Sequence, residues 1–189
     1  IANVKYSPNL GDGVIAECFE AALRCALPDA EVKSCDLAGR TAYGTGLNAS
    51  REWVMSVLDT LPASARRFVV GLLLRRIIAS RLKAHYAAAF EDSDAVILGG
   101  GQLLADTDLN FPLKVQTALG IAKAAGASVS VHGVGVSKTW SPEGHALFAD
   151  VLAAGLTHAR VRDEGSAAHW AAHFGTPVDA VVRDPGVLA

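Results

Sequence analysis

Extended apolar runs alternate with helical segments along the whole chain, and that alternation narrows the fold more than any other feature. Strand-like runs fall at 1–6, 31–36, 94–98, 128–134, 158–162 and 178–182. Helical segments fall at 13–27, 50–60, 64–90, 112–125, 142–154 and 164–174. Strands separated by helices of about three turns need crossover connections, which give a mostly parallel sheet with helices on both faces. The expectation is a Rossmann-like three-layer α/β/α domain of about six strands. Right-handed crossovers bring every strand's C-terminal end to one edge, where open sheets of this kind bind ligands at the reversal of strand order. A 2-1-3-4-5-6 order is favoured, because it sets Gly11–Gly13 beside Gly99–Gly101. A 3-2-1-4-5-6 order would set them beside Gly133–Gly135 instead.

At 189 residues the chain is read as one domain over 1–189. The 37–93 stretch breaks the rhythm as a helical insertion or crossover, starting from a Gly/Ala/Thr-rich loop. Its long helical part carries Arg66, Arg67, Arg75, Arg76, Arg81 and Lys83 beside Leu72, Leu73, Ile77 and Ile78. Such a basic amphipathic helix either covers the sheet with its arginines in water, or touches an acidic partner or a membrane surface peripherally. With 51% hydrophobic residues extended disorder is excluded, and a formal charge of -2 with 6% aromatics argues against a nucleic-acid partner. The greasiest run, Phe68 to Leu74, is closed by arginine pairs and is too short for a transmembrane segment. Cys18, Cys25 and Cys35 form no CxxC pair and read as reduced thiols of a cytoplasmic protein. The sequence opens on Ile1 and stops just after a strand-like run, as a domain cut from a longer protein would.

Four strand ends carry the chemistry. After the first strand comes Ser7-Pro-Asn-Leu-Gly-Asp-Gly13. Gly11 and Gly13 permit a tight turn and close approach of a ligand, and the free N–H groups of the next helix can hold an anion. Asp12 either caps that helix, accepts from a sugar hydroxyl, or orients a base. The third strand ends in Gly99, Gly100 and Gly101, whose lost side-chain packing implies close approach of either a ligand or a packed helix. Gln102, Asp106, Asp108 and Asn110 follow as polar pocket candidates. The fourth strand gives Gly133, Gly135 and Ser137, the last able to donate to an anion. His132 there is either a buried histidine or an acid–base group. On the fifth, Arg160 and Arg162 alternate; Arg162 suits an anionic substrate or simply pairs with Asp163 or Glu164. No metal site is expected: the His169–His173 pair lacks the glutamate of HExxH and is read as facing out of an alanine-rich helix. GxGxxG, GxSxG and GxxxxGK[ST] patterns are missing too.

Taken in order, Asn9-Leu-Gly-Asp12, Val96-Ile-Leu-Gly-Gly-Gly-Gln-Leu-Leu104 with Asp106, Gly133-Val-Gly135, Val161-Arg-Asp163 with Ser166, and Asp184-Pro185 resemble the polysaccharide pyruvyl transferase family. The likeness spans essentially the whole chain, with Gly186 standing where the family usually has alanine. It implies half of a GT-B-style enzyme with a cleft between two α/β domains. It also implies transfer of pyruvate from phosphoenolpyruvate, as a ketal, onto hydroxyls of a sugar or lipid-linked saccharide. No cofactor beyond that donor substrate is implied. A C-terminal domain would complete the cleft and supply the family's catalytic histidine and an anion-binding arginine. Apolar surface left by its absence would favour a homodimer. Here Asp12 and Asp106 become the catalytic candidates. Asn9, Gly11, Gly13, Gly99, Gly100, Gly101, Gln102, Gly133, Gly135, Ser137 and Arg162 become the substrate-binding ones. The setting implied is cytoplasmic, reaching to the inner membrane face. Two other readings stay open: a GT-B nucleotide-sugar glycosyltransferase, and a non-catalytic binding or assembly domain with its glycines packed against helices.

Overall fold

The computed structural model describes residues 1–44, 60 and 62–188. Its sheet has six strands in the order β2-β1-β3-β4-β5-β6, every pair parallel. The strands are β1 Ala2–Asn3, β2 Cys35–Asp36, β3 Ala95–Gly99, β4 Ser128–Val134, β5 His158–Val161 and β6 Ala180–Val181. The helices are α1 Leu10–Ala26, α2 Ala63–Ile77, α3 Lys83–Phe90, α4 Asn110–Ala124, α5 Pro142–Leu152 and α6 Glu164–Phe174. A π turn, Ile78–Leu82, joins α2 to α3, and a 3-10 turn follows at Pro185–Leu188. The result is a Rossmann-like α/β/α sandwich of the GT-B kind, with the 2-1-3-4-5-6 order that puts the first and third strand ends side by side.

Four strands, β1, β2, β5 and β6, are shorter than their apolar runs. β1 stops at Asn3 because buried side chains take the backbone donors that a ladder would use. Lys5 N–H donates to Asn3 Oδ1, Tyr6 N–H to Asp36 Oδ2 and Ala38 N–H to Asp36 Oδ1. Asn3 and Asp36 are both buried, which is affordable only because those bonds are made. In α1 the first turn begins at Leu10 rather than 13, since Asn9 is the N-cap and accepts from Gly11 N–H at 3.2 Å. The helix expected over 50–60 lies outside the described residues.

The long basic stretch is helical from Ala63 to Phe90, but only its second half covers the sheet: Ile78 and Leu82 are buried while Leu72, Leu73 and Ile77 are exposed. Its π turn has a physical reason. Ile78, Leu82, Tyr86 and Phe90 are buried at every fourth position. In a pure α-helix that spacing drifts about 40° per step, and the wider turn offsets the drift. The core runs from these residues through Val96 and Leu98 of β3, Val115 and Leu119 of α4, to Val129, Val131 and Phe148. Tyr86 is fully buried and its hydroxyl donates to Leu37 C=O at 2.6 Å, so burial raises its pKa far above the usual phenol range. α3, α4 and α5 pack in a row on one side of the sheet, while α1 packs against the closing 3-10 turn.

Two glycines make opposite predictions. A Cβ at Gly99 would sit 2.1 Å from the Phe19 ring, so Gly99→Ala should lower unfolding stability by about 1–3 kcal/mol. Gly120, inside α4 with open space where its Cβ would be, should gain about 1 kcal/mol as alanine. Denaturant melts of both variants check the pair.

Candidate functional site

At the first strand end, Asn9 and Asp12 form a linked pair. Asn9 Nδ2 donates to Asp12 Oδ1 at 3.3 Å, and Asp12 N–H donates to the Asn9 carbonyl at 3.1 Å. The capping role offered for Asp12 therefore belongs to Asn9, and the Asp12 carboxylate sits in the first turn, where negative charge suits the helix dipole. Gly11 is exposed beside it. Gly13 is buried, and a Cβ there would strike the Tyr43 hydroxyl at 2.7 Å. Tyr43 in turn donates to Glu17 and meets Tyr6 edge-on at 5.2 Å.

The glycine run of β3 faces this helix. Phe19 lies over Gly99 and Ile15 over Gly100, where a Cβ would fall 2.4 Å from Ile15 Cγ2. At these two positions the close neighbour is the helix, the arrangement expected of the binding-domain reading. Gly101 differs: its nearest neighbour is Asp12 Oδ1, 3.9 Å from where a Cβ would stand. Both Gly100 and Gly101 have positive φ, +77° and +72°. The crevice between Asn3, Asp12, Ile15 and Gly99–Gly101 leaves essentially no free volume.

Beyond the strands proper, the β3 and β4 exits stay paired. Gly100 N–H donates to the His132 carbonyl, Gly135 N–H to that of Gly101, Leu104 N–H to that of Gly135 and Ser137 N–H to that of Leu104. Gly133 allows this continuation: it takes φ +64° at a bulge against β5, with Pro185 against it. The paired exits gather a polar chain. Arg162 Nη2 donates to Gln102 Oε1 at 2.5 Å, and Gln102 Nε2 donates to Ser137 Oγ at 3.1 Å. The Arg162 guanidinium lies over Gly135, where a Cβ would be 2.7 Å from its central carbon. Asp163 at 3.1 Å and Asp184 at 3.9 Å flank the arginine. The Ser166 N–H holds the Asp163 carboxyl below the usual range, against the opposing effect of burial.

Asp106 is placed apart from Asp12 and is fully engaged. Its Oδ2 accepts from Ser141 N–H at 2.8 Å and Ser141 Oγ at 2.6 Å, and its Oδ1 accepts from Leu109 N–H. It thus ties the β3 exit to the start of α5, whose N-cap is Ser141. Ser166, buried, receives the Val136 N–H and fastens α6 to the same exits. His169 and His173 do not face out of α6. His169 Nδ1 is 2.8 Å from the Val136 carbonyl, His173 Nε2 is 3.0 Å from that of Ser137, and Trp140 stacks on His173 at 3.6 Å. The reason is that α6 covers the β4 exit, whose carbonyls need donors. Among the described residues no group of three or more His, Cys, Asp or Glu is placed to hold a metal ion. Ser141 and Trp140 were missed by sequence reasoning, although Ser141-Pro142 carries an N-cap signature.

A family model described as polysaccharide pyruvyl transferase matches residues 9–189. The chain belongs to that family. The match covers all four strand ends of this pyruvyl transferase family member, including Asn9–Asp12 at its very start. No curated protein and no solved structure matches the chain significantly.

His132, half-buried and stacked on Phe19 at 5.2 Å, has its pKa lowered by burial and by Arg160. His173 is lowered too, chiefly by burial. Both bind protons more readily unfolded, so they contribute stability above the ordinary histidine pKa of about 6.5 that is lost as pH falls through their folded values. Melts across pH 8 to 5, roughly the histidine titration range, should show that loss, and His132→Phe should shrink it.

Proposed function

We propose that this chain forms one wall of a cleft in which pyruvate is moved from phosphoenolpyruvate, as a ketal, onto two hydroxyls of a sugar in a polysaccharide or cell-wall precursor. The Arg162–Gln102–Ser137 chain carries the reading: a cation and two neutral donors converge on one sheet edge of a pyruvyl transferase family member. A second domain supplies the facing wall and the proton donor. The shallowness of the edge, which encloses no volume beside Asp12, agrees with a site that needs that wall.

In the reaction a general acid protonates the enol methylene, leaving an oxocarbenium-like carbon. One sugar hydroxyl forms a C–O bond to that carbon; the C–O bond to phosphate breaks, and the second hydroxyl closes the ketal. Of the two hydroxyl protons released, one replaces that given to the methyl group and the other leaves on phosphate. Arg162, with Ser137 and Gln102, is assigned to the phosphate or carboxylate of the donor, where a guanidinium fork is effective. Gly133 and Gly135 keep the backbone low beneath it. Asp12, with Asn9, Gly11, Gly13 and Gly101 around it, is assigned to the acceptor hydroxyls, which it orients and helps deprotonate. Asp106 is assigned to positioning: it holds the β3 and β4 exits in register. Gly99 and Gly100 act through the packing of α1.

The test is phosphate release and pyruvyl mass gain by the full-length gene product with phosphoenolpyruvate and a panel of nucleotide-linked and lipid-linked sugars. Asp12→Ala should cut kcat by about 10²-fold or more, while Arg162→Ala should mainly raise the KM for phosphoenolpyruvate. A folded protein that releases no phosphate across a broad panel would sink the reading.

A further inference from the structure

The outer face of α2 combines exposed apolar side chains with arginines that are unpaired among the described residues. Phe68 is 73% exposed and Leu72 60%, with Leu73 and Ile77 also in the open. Phe68 and Leu72 share one side of the helix with Arg75 and Arg76, which are exposed as well. From Thr60 to Phe90 the sequence has six basic residues and no Asp or Glu, in a chain whose net charge is -2. Among the described residues, acidic neighbours from the adjoining elements are already matched: Asp108 pairs with Arg66 and Glu143 with Arg75. Among the described residues nothing pairs with Arg67, Arg76 or Lys83. A groove of about 370 Å³ opens on this face, lined by Arg67, Phe68, Leu72, Arg75, Leu109 and Glu143.

We infer that this face of α2 docks on an anionic lipid bilayer, with Phe68 and Leu72 entering the headgroup boundary and Arg67 and Arg76 meeting lipid phosphates. The charge decides the occupant. A second copy joined across a two-fold axis would set arginines against arginines, whereas anionic headgroups neutralise them. Arginine stems lie along apolar surface with the guanidinium in the polar layer, which suits cations interleaved with Phe68 and Leu72. The segment is an interfacial element: no helix among the described residues is long and apolar enough to cross a membrane. The groove opens beside Leu109 and Glu143, at the starts of α4 and α5, so docking would hold the sheet's C-terminal edge near the lipid. The inference does not depend on the pyruvyl transfer reading, and its readout involves no catalysis.

Sedimentation with vesicles tests it, using the full chain with phosphatidylglycerol–phosphatidylcholine vesicles, pure phosphatidylcholine vesicles, and light scattering for mass. The chain should bind the anionic vesicles, release at high salt, and ignore the zwitterionic ones. Arg67→Gln with Arg76→Gln should weaken binding about thirtyfold, and Phe68→Ser with Leu72→Ser should weaken it comparably. The arginine pair keeps the test valid should the second variant fold poorly. Absence of anionic binding, equal binding to both vesicles, or a dimer that Phe68→Ser with Leu72→Ser splits while vesicles are ignored would each overturn it.

Discussion

The contact of α1 with the bare backbone at the end of β3 governs where the chemistry-bearing groups sit. Phe19 and Ile15 press onto Gly99 and Gly100 so closely that no Cβ fits. That fixes the depth of the helix against the sheet, and with it the height of the helix's first turn. Asn9 caps the turn and Asp12 hangs from it, close to Gly101. Three consecutive glycines cost chain entropy and side-chain packing. Here the first two are used up by the helix and the third leaves Asp12 an open neighbour.

A second constraint holds the other half of the edge. The β3 and β4 exits remain hydrogen-bonded past their last regular residues, so Gln102 and Ser137 are presented by paired backbone rather than by free loops. Asp106 and Ser166 lock those exits to the starts of α5 and α6, and the carbonyls of Val136 and Ser137 lie within hydrogen-bonding distance of the His169 and His173 rings. Such rigid presentation lowers the cost of meeting a ligand, since a side chain ordered beforehand loses less freedom on binding. Arg162 gains the same benefit by lying over Gly135.

Much of this was legible in the sequence. Alternating apolar and helical runs were enough for the layer architecture, and the paired glycine clusters of Gly11–Gly13 and Gly99–Gly101 pointed to the strand order. What escaped was local and depended on tertiary partners. Asn9 rather than Asp12 caps α1, because both are good cap residues and only the backbone path chooses between them. The glycines of β3 were open to a ligand or a helix, and nothing in one sequence says that Phe19 will stand 2.1 Å from a Cβ at Gly99. The inward turn of His169 and His173 was hidden because an alanine-rich helix shows little apolar contrast between its faces. The short β1 reflects Asn3 and Asp36 taking the ladder's donors, and such substitution is invisible until both are seen buried.

The central claim is that the polar chain at the β3, β4 and β5 exits meets the anionic donor. Titration of phosphoenolpyruvate into isotope-labelled protein, followed by amide chemical shifts, addresses it without requiring turnover. The account predicts saturable shifts concentrated at Gln102, Gly135, Val136, Ser137 and Arg162, lost in Arg162→Ala and largely reproduced by inorganic phosphate. Shifts confined to other surfaces, or unchanged in Arg162→Ala, would contradict it.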